Sequence, residues 1–84
     1  MSIPTYQFLF HTTYGAIHLK KELQQRGIAF VMSDVPRSLS SGCGLSLRFE
    51  YGGEVRELVF FGETAAIYLY FGEEEYELVE GFAA

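Results

Sequence analysis

The stretch "GGEVRELVFFGET", Gly52–Thr64, decides the fold. Val55, Leu58 and Val59 recur at the three-then-four spacing that gathers side chains on one face of a helix, yet Val55, Glu57, Val59 and Phe61 also alternate as a strand would. We read it as a short helix. Upstream, "LSLRF" sets Leu45, Leu47 and Phe49 against Ser46 and Arg48, a strand with one buried face. Downstream, "AAIYLYF" is a further strand, and "GEEEYELVEGF" is either a polar tail or a return strand reached through a turn at Gly72.

The N-terminal half supplies the remaining elements. "TYQFLF" alternates Tyr6, Phe8 and Phe10 against Gln7 and Leu9 and reads as the first strand. "HTTYGA" then starts a helix, with Thr12 or Thr13 able to accept from an otherwise unpaired first-turn amide. Ala16, Leu19 and Leu23 lie on one helical face, and Lys20, Lys21 and Gln24 point outward. Arg26 suits the negative end of the helix dipole, and Gly27 can take the left-handed conformation that stops the helix. "IAFVM" is a short buried strand ended by Pro36, which lacks an amide donor and restricts Val35.

The resulting order predicts one α+β domain over residues 1–84: a ferredoxin-like βαββαβ sandwich, with helices on one face of an antiparallel sheet and room for an extra C-terminal strand. If the first strand runs upward, the first helix begins at the top and the second strand ends there. His11, Thr12, Thr13 and the loop containing Cys43 then share one end, with Gly62 to Thr64 beside them.

Composition narrows the function classes. About half of the 84 residues are apolar, 49%, enough to exclude a disordered chain. The net charge of −5 is unevenly placed: residues 1–49 carry five basic and two acidic side chains, whereas residues 50–84 carry nine glutamates and Arg56. Nucleic acid is therefore not expected as a partner, since phosphate binding needs a concentrated basic face. The acidic half suits solubility or the steering of a basic protein. "MSIPTYQFLF" does not read as a signal peptide, and no run approaches the ~18 apolar residues of a membrane span. One cysteine cannot form an internal disulfide, so a reducing cytoplasm is the expected location and no membrane is expected as a partner.

Chemistry concentrates in "VPRSLSSGCGLSL", Val35–Leu47. A cysteine thiolate is the reactive form, with a reference pKa of roughly 8.5 that falls near cations or a helix N-terminus. Arg37 is the nearest basic residue in sequence, and the first helix would begin beside the loop. Gly42 and Gly44 leave both flanks of Cys43 open to close approach and let amides turn toward an anion, while Ser38, Ser40 and Ser41 offer hydroxyl donors. Against this, a lone cysteine is commonly a packed thiol, and glycines and serines commonly serve only a turn.

With "YQFLFHTTYGAIHLKKEL" and "RGIAF" ahead of it, this loop resembles the small bacterial selenium/sulfur carrier-like domains, over about Tyr6 to Phe49. Their signature is a Pro-Arg pair, an apolar and several serine positions, then Cys-Gly and an apolar strand. Here these are Pro36, Arg37, Leu39, Ser40, Ser41, Cys43 and Gly44. The resemblance implies that Cys43 accepts sulfur or selenium as a persulfide or selenosulfide from a donor such as a cysteine desulfurase and passes it to an acceptor protein. It implies a carrier more than a turnover enzyme, with no cofactor.

No second cysteine resolves the persulfide internally or forms a thioredoxin-like pair. His11 is a candidate base for Cys43. His11, His18 and Cys43 would supply only three metal ligands where a structural zinc site takes four, so no metal is expected. Glu73–Glu75 and Glu77 lack the glycine-punctuated spacing of a calcium loop and read as a solvated turn. The stripe "IYLYF" reads as core or interface, able to close a homodimer through an open sheet edge. The alternative function is a noncatalytic interaction module that docks through the acidic, aromatic C-terminal half. Reversible oxidation of Cys43 without chalcogen transfer, a redox sensor, is a third reading.

Overall fold

Alternating side chains on a central strand generate the two layers. In the computed structural model, which describes residues 3–39 and 44–83, β1 (Thr5–Phe10) turns Phe8 and Phe10 toward α1 (Thr13–Gln25) and Gln7 and Leu9 the other way. Strands β2 (Phe30–Asp34), β3 (Leu45–Glu50), β4 (Thr64–Gly72) and β5 (Glu75–Gly81) complete one antiparallel sheet ordered β2-β3-β1-β4-β5. Because β3 pairs antiparallel with both β1 and β2, the two outer members run parallel and α1 is the crossover between them.

Helix α1 holds by packing more than by its own start. Thr12 has the extended backbone of an N-cap, φ −138° and ψ 161°, but its hydroxyl does not cap, which corrects half of the expectation for Thr12 and Thr13. No acidic residue lies in the first turn to meet the helix dipole. Ala16, Leu19 and Leu23 are fully buried as read, and burying each leucine is worth about 1.5–3 kcal/mol.

The other end is explicit in the sequence. Gly27, at φ +71°, donates to the Gln24 carbonyl at 3.2 Å, and the Ile28 amide donates to Leu23 at 2.9 Å. This pair of bonds is the Schellman motif, and Ile28 and Leu23 supply its apolar contact in the core.

Residues 52–64 correct the expected second helix. They form a single 3₁₀ turn, Val55–Leu58, after which Val59 is extended. Val55 and Leu58 are buried, and because residues three apart eclipse in a 3₁₀ turn, four residues suffice to place both in the core. Glu54 caps the turn by accepting from the Arg56 amide at 3.3 Å. The layer over the sheet is therefore one α-helix and one turn, not two helices.

The glutamate-rich C-terminus is the return strand β5. Gly72 pairs with Glu75 across a two-residue loop, and Glu73 and Glu74 both have positive φ, 51° and 63°. That is hairpin-turn geometry suited to Asn-Gly, and the left-handed region costs a non-glycine residue about 1 kcal/mol or more.

The side of the sheet away from α1 carries a polar ladder. Gln7 donates to Ser46 Oγ at 2.6 Å and accepts from Arg48 Nε at 2.7 Å; Arg48 Nη2 reaches Tyr76 Oη at 3.1 Å. The guanidinium lies 3.7 Å over the Tyr70 ring. Gln7 and Ser46 are fully buried, and this chain of donors satisfies them.

Two substitutions test these accounts by urea unfolding. A Cβ on Gly15 would stand 3.0 Å from the Glu63 carbonyl oxygen and 3.0 Å from Phe10 Cδ1. Gly15→Ala should therefore lower stability by about 1–2 kcal/mol through overpacking, although alanine is the better helix former. Replacing Glu73-Glu74 by Asn-Gly should raise it by about 1 kcal/mol, by removing left-handed strain from two charged residues.

Candidate functional site

Strand register brings the predicted end together. Leu9 pairs with Ser46, Ser46 with Ser33, Leu45 with Asp34, and Phe10 with Thr64. The ends of β1 and β2, the starts of β3 and β4, and the start of α1 at Thr13 thus meet at one end of the sheet. The loop between β2 and β3 leaves from there. Its base is closed by the Val35 amide donating to the Gly44 carbonyl at 3.0 Å. Pro36–Leu39 then form a tight turn, with Leu39 N–H to Pro36 O at 3.0 Å and Arg37 and Ser38 exposed at the two central positions. Ser40, Ser41, Gly42 and Cys43 lie outside the described residues.

Gly44, which follows Cys43 in the chain, is informative. Its φ is outside the left-handed region, and a Cβ built on it would meet no atom within 4 Å. Among the described residues, neither backbone conformation nor packing demands glycine there.

Across β1, a second structure closes the same end. Phe60–Thr64 is bound at every turn: Glu63 N–H to Phe60 O at 3.0 Å, Thr64 N–H to Phe60 O at 2.9 Å, and Phe60 N–H to Thr64 Oγ1 at 3.0 Å. The His11 amide donates to the Glu63 carbonyl at 2.8 Å. His18, half a helix away, stacks on Phe60 with centroids 3.7 Å apart and places Nδ1 2.8 Å from Glu63 Oε1. His18 is thus a lock between α1 and this turn. Nothing in sequence marks that pair, which is 45 residues apart; Gly62, at φ +80°, is the one local sign of the turn.

Of the predicted residues, His11, Thr12 and Thr13 are at this end with Arg37 and Gly44. The His11 ring turns toward β5, where Nε2 donates to the Phe82 carbonyl at 3.0 Å. That leaves a base role to Nδ1, and it directs the ring to the side of β1 away from the β2–β3 loop. The acidic hairpin is remote: β4 runs nine residues from Thr64 to Gly72, which puts Glu73 and Glu74 roughly 25 Å away at the other end of the sheet. Arg37 and the α1 N-terminus stand at the loop end, together with the acidic Asp34 and Glu63.

The family model described as "Putative Se/S carrier protein-like" matches residues 5–64, which include the whole Pro36–Gly44 loop and reach past Phe49 to the start of β4. The chain belongs to this family. It is also 45% identical over 62 residues to the uncharacterized protein YtiA of Escherichia coli (strain K12), covering 73% of each chain. No solved structure matches. Most of β4 and all of β5 lie beyond the family match. Among the described residues no helix is long and apolar enough to cross a membrane.

Gly44→Ala should fold as the parent does, with a urea midpoint unchanged or slightly raised, because alanine at a compatible φ restricts the unfolded chain. A loss of more than about 1 kcal/mol would show that the glycine serves the fold.

Proposed function

We propose that this protein is a sulfur or selenium carrier that loads the chalcogen on Cys43 and delivers it to another protein. The observation that carries this reading is that the chain's lone cysteine lies inside the span matched by the selenium/sulfur carrier-like family. In the loading step the Cys43 thiolate attacks the terminal sulfur of a cysteine persulfide on a donor of the desulfurase class. A new S–S bond forms, the donor's S–S bond breaks, and the donor cysteine leaves as thiolate. The oxidation states of the two proteins exchange, so no external oxidant takes part. Delivery repeats the step with an acceptor's nucleophile, since this chain has no second thiol.

Each surrounding residue type has a task. Arg37 and the N-terminal end of α1 favour the thiolate and its anionic persulfide. Ser40 and Ser41 supply hydroxyl donors to the terminal chalcogen, with Thr12 and Thr13 as further hydroxyls at the same end. Gly42 and Gly44 leave the sulfur open, a reading that the empty space at Gly44 supports. His11 is the candidate base, and its ring, held by the Phe82 carbonyl on the β4 side of β1, would have to turn to serve Cys43. The frame is a ferredoxin-like variant in our reading: β4-β1-β3-β2 carries the split βαβ unit, a 3₁₀ turn replaces the second helix, and β5 extends the edge.

Intact-protein mass spectrometry after incubation with a cysteine desulfurase and cysteine tests the function. The expected result is an adduct of about 32 Da, one sulfur, that reductant removes and Cys43→Ser lacks, as thiolate chemistry requires. Gly44→Ala, folded, should load more slowly. No adduct, together with a thiol that resists alkylation in the folded protein, overturns the carrier reading in favour of a docking module.

A further inference from the structure

Strand β2 is an edge of the sheet, and the register fixes which of its backbone groups point outward. The Val35 amide bonds the Gly44 carbonyl, and in the same register Ser33 faces Ser46 and Val31 faces Arg48, so these are the hydrogen-bonded pairs with β3. Phe30, Met32 and Asp34 are the alternate positions. Their amides, with the Phe30 and Met32 carbonyls, point away from β3, where among the described residues no strand pairs with them. Such a row of donors and acceptors is the complement of one further strand. The two edges of the sheet are treated differently. β5 carries Glu75, Glu77 and Glu80, charge of the kind that blunts an edge. On β2, Phe30 to Ser33 carry none, and the pairing with β3 runs through without a bulge that would twist the edge away.

We propose that β2 is the docking edge for the sulfur donor, which adds an extended, basic segment to the sheet and so brings its persulfide beside Cys43. This inference rests on the carrier reading and supplies the partner's mode of binding. Position favours it, because β2 leads directly into the loop that bears Cys43, and a strand laid along β2 ends at that loop's base. Charge gives the occupant its sign. Asp34 stands at one end of β2; at the other, a cleft of about 310 Å³ opens beside the strand, lined by Phe30, Val31, Arg48 and Glu50. Among the described residues neither carboxylate forms an ion pair, whereas Arg48 is already engaged by Gln7 and Tyr76. A segment with a basic residue near each end meets both carboxylates and leaves Arg37, on the turn beyond, for the anionic persulfide. Main-chain bonds then supply affinity, and the cleft and the two carboxylates supply selectivity.

Rates of sulfur uptake from a cysteine desulfurase and cysteine, read by intact mass, test it. Met32→Pro removes an outward amide and leaves the ladder with β3 intact, a substitution of the kind edge strands accept. Folded by circular dichroism, it should load about tenfold more slowly than the parent while iodoacetamide alkylates Cys43 at an unchanged rate, because only the strand contact is lost. Asp34→Lys combined with Glu50→Lys should slow loading by a similar factor, and Glu77→Lys, the same charge change on the opposite edge strand, should not. If Met32→Pro does not fold, the charge-reversed chain decides. A parent that takes up no sulfur overturns the carrier reading and this one with it. A parent that loads, beside a deciding variant that loads as fast, overturns strand addition alone, as does a slowing matched by equally slowed alkylation.

Discussion

Phe8 is the residue on which both layers rest. It is fully buried on the central strand, directly opposite Leu47 on one side and Ile67 on the other, with its ring 5.2 Å from Phe49 and 6.4 Å from Phe10. Leu19 and Leu23 can be buried only because this aromatic row presents a continuous apolar surface under α1. The same strand fixes the functional end. Because β1 pairs with both β3 and β4, its last residues draw the β2–β3 loop and the Phe60–Thr64 turn to either side of His11.

That end is closed from two sides. The turn on the β4 side is closed by backbone bonds, a threonine hydroxyl and the His18 lock. On the other side, the loop bearing Pro36 to Gly44 is anchored at its base by the Val35–Gly44 bond and by its own Pro36–Leu39 turn.

How much could be read in the sequence follows from where the determining contacts lie. The first strand and helix were legible because period-two and period-3.6 patterns are local, and Gly27 because a helix stop is local. The second helix was misread because Val55 and Leu58, three apart, fit α, 3₁₀ and strand patterns alike. Only the short distance the segment must span, with β-branched and aromatic residues following, restricts it to one turn. The His18–Glu63 contact and the Arg48 ladder join residues 28 to 45 apart, and no local pattern encodes such pairs. The convergence of His11, Thr12, Thr13, the base of the cysteine loop and Gly62 to Thr64 at one end was legible because it follows from strand directions alone; Cys43 itself lies outside the described residues. The direction of the His11 ring was not, because its partner, Phe82, is 71 residues away.

The hairpin β4–β5 shows how an edge can be protected while a face is not. Without β5, the long aromatic strand β4 would be the sheet edge, with unpaired amides and carbonyls beside Tyr68 and Tyr70. That arrangement invites strand addition. With β5 in place the edge carries Glu75 and Glu77, and a second copy pairing there would bring like charges together. The device has a cost, since Glu73 and Glu74 must turn the chain in the left-handed region. Its effect is directional. Edge growth is opposed by charge on the α1 side of the strand, whereas the opposite side, Tyr76 and Leu78, extends the apolar surface begun by Tyr68 and Tyr70.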